Sequence, residues 1–230
     1  SGASPNTAVT ITAASFPITV GGGGTGIGPG NAPAGLAGAG NPSTFSTVTS
    51  AGGGRGGAYN SGIGCTGLGG TGGSGGGHRR GVAKPTAAAA GNTPPVAPSQ
   101  GNPGGSYNLP QDNASSGGGG AGAAGDSALC QSVSPGGIGA YIASPFIGPT
   151  APSYGTPGPV SSTRYFAGGG TGGATNIPGT PTVTPQIAGG GGTAYAGSPA
   201  SNPNPAGANQ NGVANSGGGG SGGGCDCYTT

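Results

Sequence analysis

The residues able to do chemistry are four cysteines (Cys65, Cys130, Cys225 and Cys227), one histidine (His78) and three carboxylates (Asp112, Asp126 and Asp226). Four cysteines permit two disulfides in three connectivities. A Cys225–Cys227 bridge would close a strained ring, so pairing of one or both with Cys65 or Cys130 is favoured, with free thiols the other outcome. A metal site is the sharper alternative, but Cys-Asp-Cys lacks the two-residue spacing of zinc knuckles, and His78 is remote in sequence. One imidazole and three Asp residues offer little general acid/base chemistry, and no Ser or Cys stands in a nucleophile motif. The glycine runs are not phosphate loops: none is followed by Gly-Lys-Ser/Thr, and "GTGIGPG" at 24–30 does not open a helix. The expectation is a non-enzyme that uses no cofactor and no metal.

His78, Arg79, Arg80 and Lys84 form the one cationic cluster. Phosphate binding needs several clustered cations, and a formal charge of +2 makes nucleic acid a poor partner. A solvated loop or a contact to an anionic surface is expected there. No run approaches the roughly 18 apolar residues of a membrane span, and no basic, apolar leader opens the chain, so membrane insertion is not expected. Methionine is absent, also at position 1, which predicts a processed product or a fragment.

The elements that must position these residues are unusual. With 63 glycines and 23 prolines in 230 residues, more than a third of the chain resists ordinary helices and sheet interiors. Val, Ile, Leu and Phe make up about 11% of it, well under the ~20% below which chains usually fail to collapse. Disorder is the default for such a composition. Yet the chain has only eight Asp, Glu, Lys and Arg residues, so no charge repulsion holds it open.

Dense glycine runs recur at 21–24, 52–54 with 56–57, 75–77, 117–120, 168–170 with 172–173, 189–192, 217–220 and 222–224. Between them lie turn-rich stretches in which Pro fixes φ and Gly or Asn supplies positive φ. Collagen is excluded because glycine does not hold every third position. Residues 7–24, "TAVTITAASFPITVGGGG", alternate apolar and small or hydroxyl side chains at Val9, Ile11, Phe16, Ile18 and Val20, which predicts a short strand pair before the first run. Residues 43–50 and 161–167 repeat the pattern. The domain reading is a strand-bearing segment, 1–50, leading into a glycine-rich bundle with variable loops, 51–230, as one continuous domain.

A run of glycine adopts the left-handed polyproline II helix, here polyglycine II, with three residues per turn and backbone groups pointing outward. Packed side by side without Cβ atoms, such rods satisfy one another's N–H and C=O groups, so the interior becomes backbone. A net hydrogen bond contributes about 0.5–1.5 kcal/mol against about 1–2 kcal/mol of backbone entropy per residue. One rod is therefore marginal and many rods are needed. The fold class expected is irregular and all-β-like: packed polyglycine II helices, short strands, long Pro/Gly loops and almost no α-helix.

The stretches "ITVGGGG", "FSTVTSAGGGRGG", "GNTPPVAPSQGNPGG" and "YFAGGGTGG" resemble the glycine-rich domains of tailed-phage tail fibres and receptor-binding tips, over nearly the whole chain. That resemblance implies a polyglycine II sandwich with receptor specificity in the loops 31–43, 78–104, 107–116, 127–154 and 202–216. Tyr107, Tyr141, Phe146 and Tyr154 are then the contact candidates, joined by His78, Arg79 and Arg80. The ending "GGGCDCYTT" departs from the β-branched strand that often closes such chains. The implied function is a non-catalytic virion adhesin partnered by other tail proteins and a host receptor, as a homo-oligomer or packed on neighbouring chains. A filament subunit or capsid decoration is the alternative. An ice-binding protein is the third, against which stands the lack of a strict three-residue repeat.

Overall fold

The computed structural model describes residues 10–12, 15–26, 37–57, 67–79, 87–107, 115–128, 134–142, 155–157, 164–172 and 217–219. Among them there is no helix, only six short strands and long stretches of extended chain. This agrees with the glycine and proline content, which removes helix propensity almost everywhere.

The strands make two small antiparallel sheets. In the first, β1 (Ile18–Thr19), β2 (Ser43–Phe45) and β3 (Val48–Ser50) lie in the order β1-β2-β3, with Ile18 opposite Phe45 and Phe45 opposite Val48. In the second, β4 (Ala140–Ile142), β5 (Thr156–Pro157) and β6 (Arg164–Phe166) lie in the order β4-β6-β5. The local strand pair anticipated within residues 7–24 does not form. Residues 10–12 are not a strand, and β1 pairs instead with a segment two dozen residues on. Phe16 explains the choice: its ring stands 5.8 Å from that of Phe45, and the Pro17 carbonyl accepts the Ser46 N–H at 3.0 Å. Residues 43–50 are also not one strand but a hairpin, turning at Ser46 with φ of 52°.

Most of the described chain is extended, glycine-rich and hydrogen bonded to distant segments. Residues 115–121 show the pattern best. Ser116 and Gly119 donate to His78 and Gly75 at 2.9 and 2.8 Å. Gly117 and Gly120 donate to Asp126 and Ala123, both at 2.9 Å, and Gly118 and Ala121 to Gly170 and Ala167, both at 2.9 Å. Successive N–H groups thus leave in three directions and return to the same antiparallel neighbour after three residues. A fourth neighbour approaches through Gly105 N–H to Gly117 O and Asn102 N–H to Gly120 O, and a fifth through Gly137 N–H to Gly118 O. A β-strand, with its two-residue alternation, cannot address so many partners.

The interior is correspondingly poor in side chains. Among the described residues, the buried hydrophobic ones are Ala89, Tyr107, Ala128 and Tyr165. Close approach of backbones fills the rest: a Cβ on Gly75, Gly76 or Gly77 would meet the carbonyl of Ala89, Arg55 or Ser116 respectively, three different neighbours. The covering segments therefore fit only against bare backbone. At the margin, residues 21–26 bond to residues 38–43 among the described residues, through Gly38 N–H to Thr25 O, Asn41 N–H to Gly22 O and Gly21 N–H to Ser43 Oγ. Their outer side is open, and Ile18 and Val20 just before them are 69% and 84% exposed.

Candidate functional site

Two surface features carry side chains away from the backbone interior. The first is the loop 91–101. Gly91 and Gly101 are anchored in packed segments, while residues 94–99, "PPVAPS", are exposed. Asn92 organises the loop: its Oδ1 accepts the Val96 and Gln100 N–H groups, both at 3.2 Å, and its Nδ2 donates to the Val96 carbonyl at 3.0 Å. Its φ of 49° is one that Asn tolerates better than most residues. Gln100 ties the loop to the first sheet's exit, its Oε1 accepting the Ala51 N–H while its Nε2 donates to the Pro94 carbonyl. Proline fixes φ in the tip, so an exposed loop of this kind presents its surface with little entropy left to lose.

The second feature is the edge strand β4. Tyr141 is 63% exposed and Ile142 42% exposed. Tyr141 lies opposite Tyr165 in the register, with ring centroids 5.9 Å apart at 56°, a tilted aromatic pair whose inner member is buried. Arg164, on the same strand as Tyr165, donates to the Gly155 carbonyl at 2.6 Å and holds the approach to β5 in place. An exposed phenol held by a buried one is a rigid contact surface with an apolar face and a polar tip.

The structure separates the residues that sequence reasoning grouped as contacts. Tyr141 is available. His78 and Tyr107 are not, being only 2% exposed each, which corrects their placement on receptor-facing loops. His78 directly follows the run 75–77 and Tyr107 stands one residue after the pair 104–105, so both lie at the end of a packed extended segment instead of out on a loop. Residues 101, 104, 105, 115 and 116 are likewise buried, so the anticipated loops 78–104 and 107–116 contain interior segments at their ends. Arg79 is half-buried, its N–H donating to the Gly67 carbonyl at 2.7 Å. Arg80, Phe146, Tyr154 and the four cysteines, with the disulfide question, lie outside the described residues.

His78 is instead a junction. Its Nδ1 accepts the Gly69 N–H at 2.9 Å, and its Nε2 donates to the Ala87 carbonyl at 2.8 Å. These partners assign the ring hydrogen to Nε2. Its own N–H donates to Ser116 Oγ at 2.8 Å, and that hydroxyl donates onward to the Gly105 carbonyl at 2.8 Å. Sequence reasoning missed Asn92 and Gln100 as loop organisers. The signal was present in "GNTPPVAPSQGN", where an Asn before a Pro-rich turn is a common side-chain-to-backbone cap.

No protein-family model, curated protein or solved structure matches this chain.

Proposed function

We propose that the glycine runs are polyglycine II helices packed into a bundle, and that the bundle is the scaffold of a non-catalytic virion adhesin at a phage tail fibre or tail tip. The observation that carries the reading is the three-residue return of the hydrogen bonds along 115–121, which is the period of that helix. A backbone interior frees the connecting loops from packing duties, so their sequences are able to vary with the receptor. The rigid loop 91–101 and the exposed Tyr141 support that use. The partners of this reading are other tail proteins and a host surface receptor.

A second reading, a subunit of a filament or capsid decoration, is favoured by one observation. The marginal segment 15–26 exposes Ile18 and Val20 on an edge that no other described residue pairs, and no charged residue precedes Arg55 in the chain to guard it.

Electron microscopy of the particle that carries this chain, labelled with an antibody against residues 94–99, separates the two. Label at fibre tips is the expected outcome, and label along a shaft, shell or free filament would replace the adhesin by the structural subunit. As a companion prediction, Tyr141→Ala lowers cell adsorption about tenfold with only a small fall in melting temperature from the lost Tyr165 ring contact. Unchanged adsorption would remove Tyr141 from the contact surface.

A further inference from the structure

We propose that the marginal segment 15–26 is a docking face for a second copy of this chain, which lies antiparallel against the same segment and closes a two-fold dimer. The proposal is independent of what the loops bind.

The first sheet runs on into glycine-rich chain without changing its order. Residues 21–26 follow β1, residues 38–41 precede β2 and residues 51–53 follow β3, and they remain neighbours in that order. Asn41 and Gly38 donate to the Gly22 and Thr25 carbonyls at 2.9 Å, and Gly40 donates to the Gly53 carbonyl at 2.9 Å. The carbonyls of 22 and 25 stand three residues apart, and so do Gly21 and Gly24, the glycines pressed against Asn41 and Gly38. Segment 38–41 is thus flanked on both sides, whereas 21–26 is flanked on one side among the described residues.

The other side is bare. Every residue from 15 to 26 except Phe16 and Gly21 is exposed, and β1 is an edge strand. A Cβ on Gly23 or Gly26 would meet nothing within 4 Å, and neither residue's backbone bonds to a described residue. Natural edges are blunted by charge, by proline or by a bulge. Here no charged side chain precedes Arg55, and Pro17 stands before β1 instead of within it.

The occupant follows from what such a face accepts. Close approach to bare backbone needs a partner that is itself bare on the docking side, and an uncharged face offers nothing to a charged one. A second copy of 15–26 meets both conditions, and no like charges come together. A two-fold axis sets the segment antiparallel to itself, with the N–H groups of one copy facing the carbonyls of the other. An axis near Gly22 puts Ile18 and Val20, 69% and 84% exposed, opposite Gly26 and Gly24 of the second copy. The apolar side chains then cover bare backbone. Because both copies use the same patch, assembly ends at two, and the edge that an open filament would need is consumed.

The experiment is sedimentation velocity of the whole protein from about 1 μM to about 100 μM, beside Gly23→Glu and Gly56→Glu. Both substitutions place the same side chain in open space, one on the docking face and one on the run 52–57. The expected result is a monomer–dimer equilibrium for the native chain, weakened at least about tenfold by Gly23→Glu and unchanged by Gly56→Glu. A native chain that stays monomeric, a dimer indifferent to Gly23→Glu, or equal weakening by both variants would overturn the proposal. Growth beyond two copies would also overturn it, in favour of the filament. Should Gly23→Glu not fold, amide exchange of the native chain decides: protection at Gly23 and Gly26 is expected to rise with protein concentration, and protection independent of concentration refutes the contact.

Discussion

The run at 52–57 and the run at 75–77 both open with three glycines but differ in how fully they are surrounded. In the first, Gly53 and Gly56 face open space, whereas Gly52, Gly54 and Gly57 are pressed against the Gly40, Gly70 and Gly67 carbonyls. In the second, all three glycines are pressed against backbone. The difference teaches that glycine here is not one kind of residue. Its role depends on which of three directions it faces, and a run at the margin of the packed segments has one direction left over.

The strongest way to break that comparison is to give the interior a side chain. Gly76→Ala drives a methyl into the Arg55 carbonyl, and Gly119→Ala into that of Asn102. Each is expected to cost about 3 kcal/mol or more, since backbone on both sides leaves nothing to rotate away. Denaturant unfolding measures it, and a loss under about 1 kcal/mol would mean the segments are not closely packed.

A smaller effect is expected from removing a hydroxyl that links interior segments. Ser116→Ala strips the acceptor from the His78 N–H and the donor from the Gly105 carbonyl, in a residue that is 3% exposed. The expected loss is about 2 kcal/mol, read in the same unfolding experiment.

The smallest effect has the opposite sign and sharpens the contrast most. Gly53→Ala and Gly56→Ala meet nothing within 4 Å, and no positive φ stands against a side chain at either place. Each is expected to stabilise by about 0.4–1 kcal/mol by restricting the unfolded chain. Gly54→Ala, in the same run, is expected to destabilise. Equal effects at 53, 54 and 56 would argue against the three-direction account.

Much of this was legible in the residues. The glycine runs mark the extended segments, the absence of helix follows from Gly and Pro, and the alternation around Ile18, Val48 and Tyr165 marks strands. What was not legible is who neighbours whom. Side chains normally encode pairing through shape and apolarity, but residues 75–77 or 117–120 carry none, so nothing in them names Asn102 or Gly170 as a partner. The pairing of β1 with β2 was hidden for a related reason, because it rests on Phe16 meeting Phe45 across a long intervening stretch. His78 and Tyr107 were misplaced because "GGGHRR" and "GGSY" look like the end of a run opening into a loop. The available clue was phase: His78 stands three residues after Gly75, and both face the segment 115–121.

An interior made of peptide groups also alters how the molecule responds to temperature. Unfolding an ordinary domain exposes apolar side chains, whose hydration raises the heat capacity and bends the stability curve, while exposed polar surface lowers it. With only Ala89, Tyr107, Ala128 and Tyr165 as buried hydrophobic residues among those described, unfolding uncovers mostly amide surface. A small heat-capacity increment per residue and a broad stability curve are therefore expected of these segments. An interior of this kind loses less on cooling than a hydrophobic core does, and its cohesion is more enthalpic in origin.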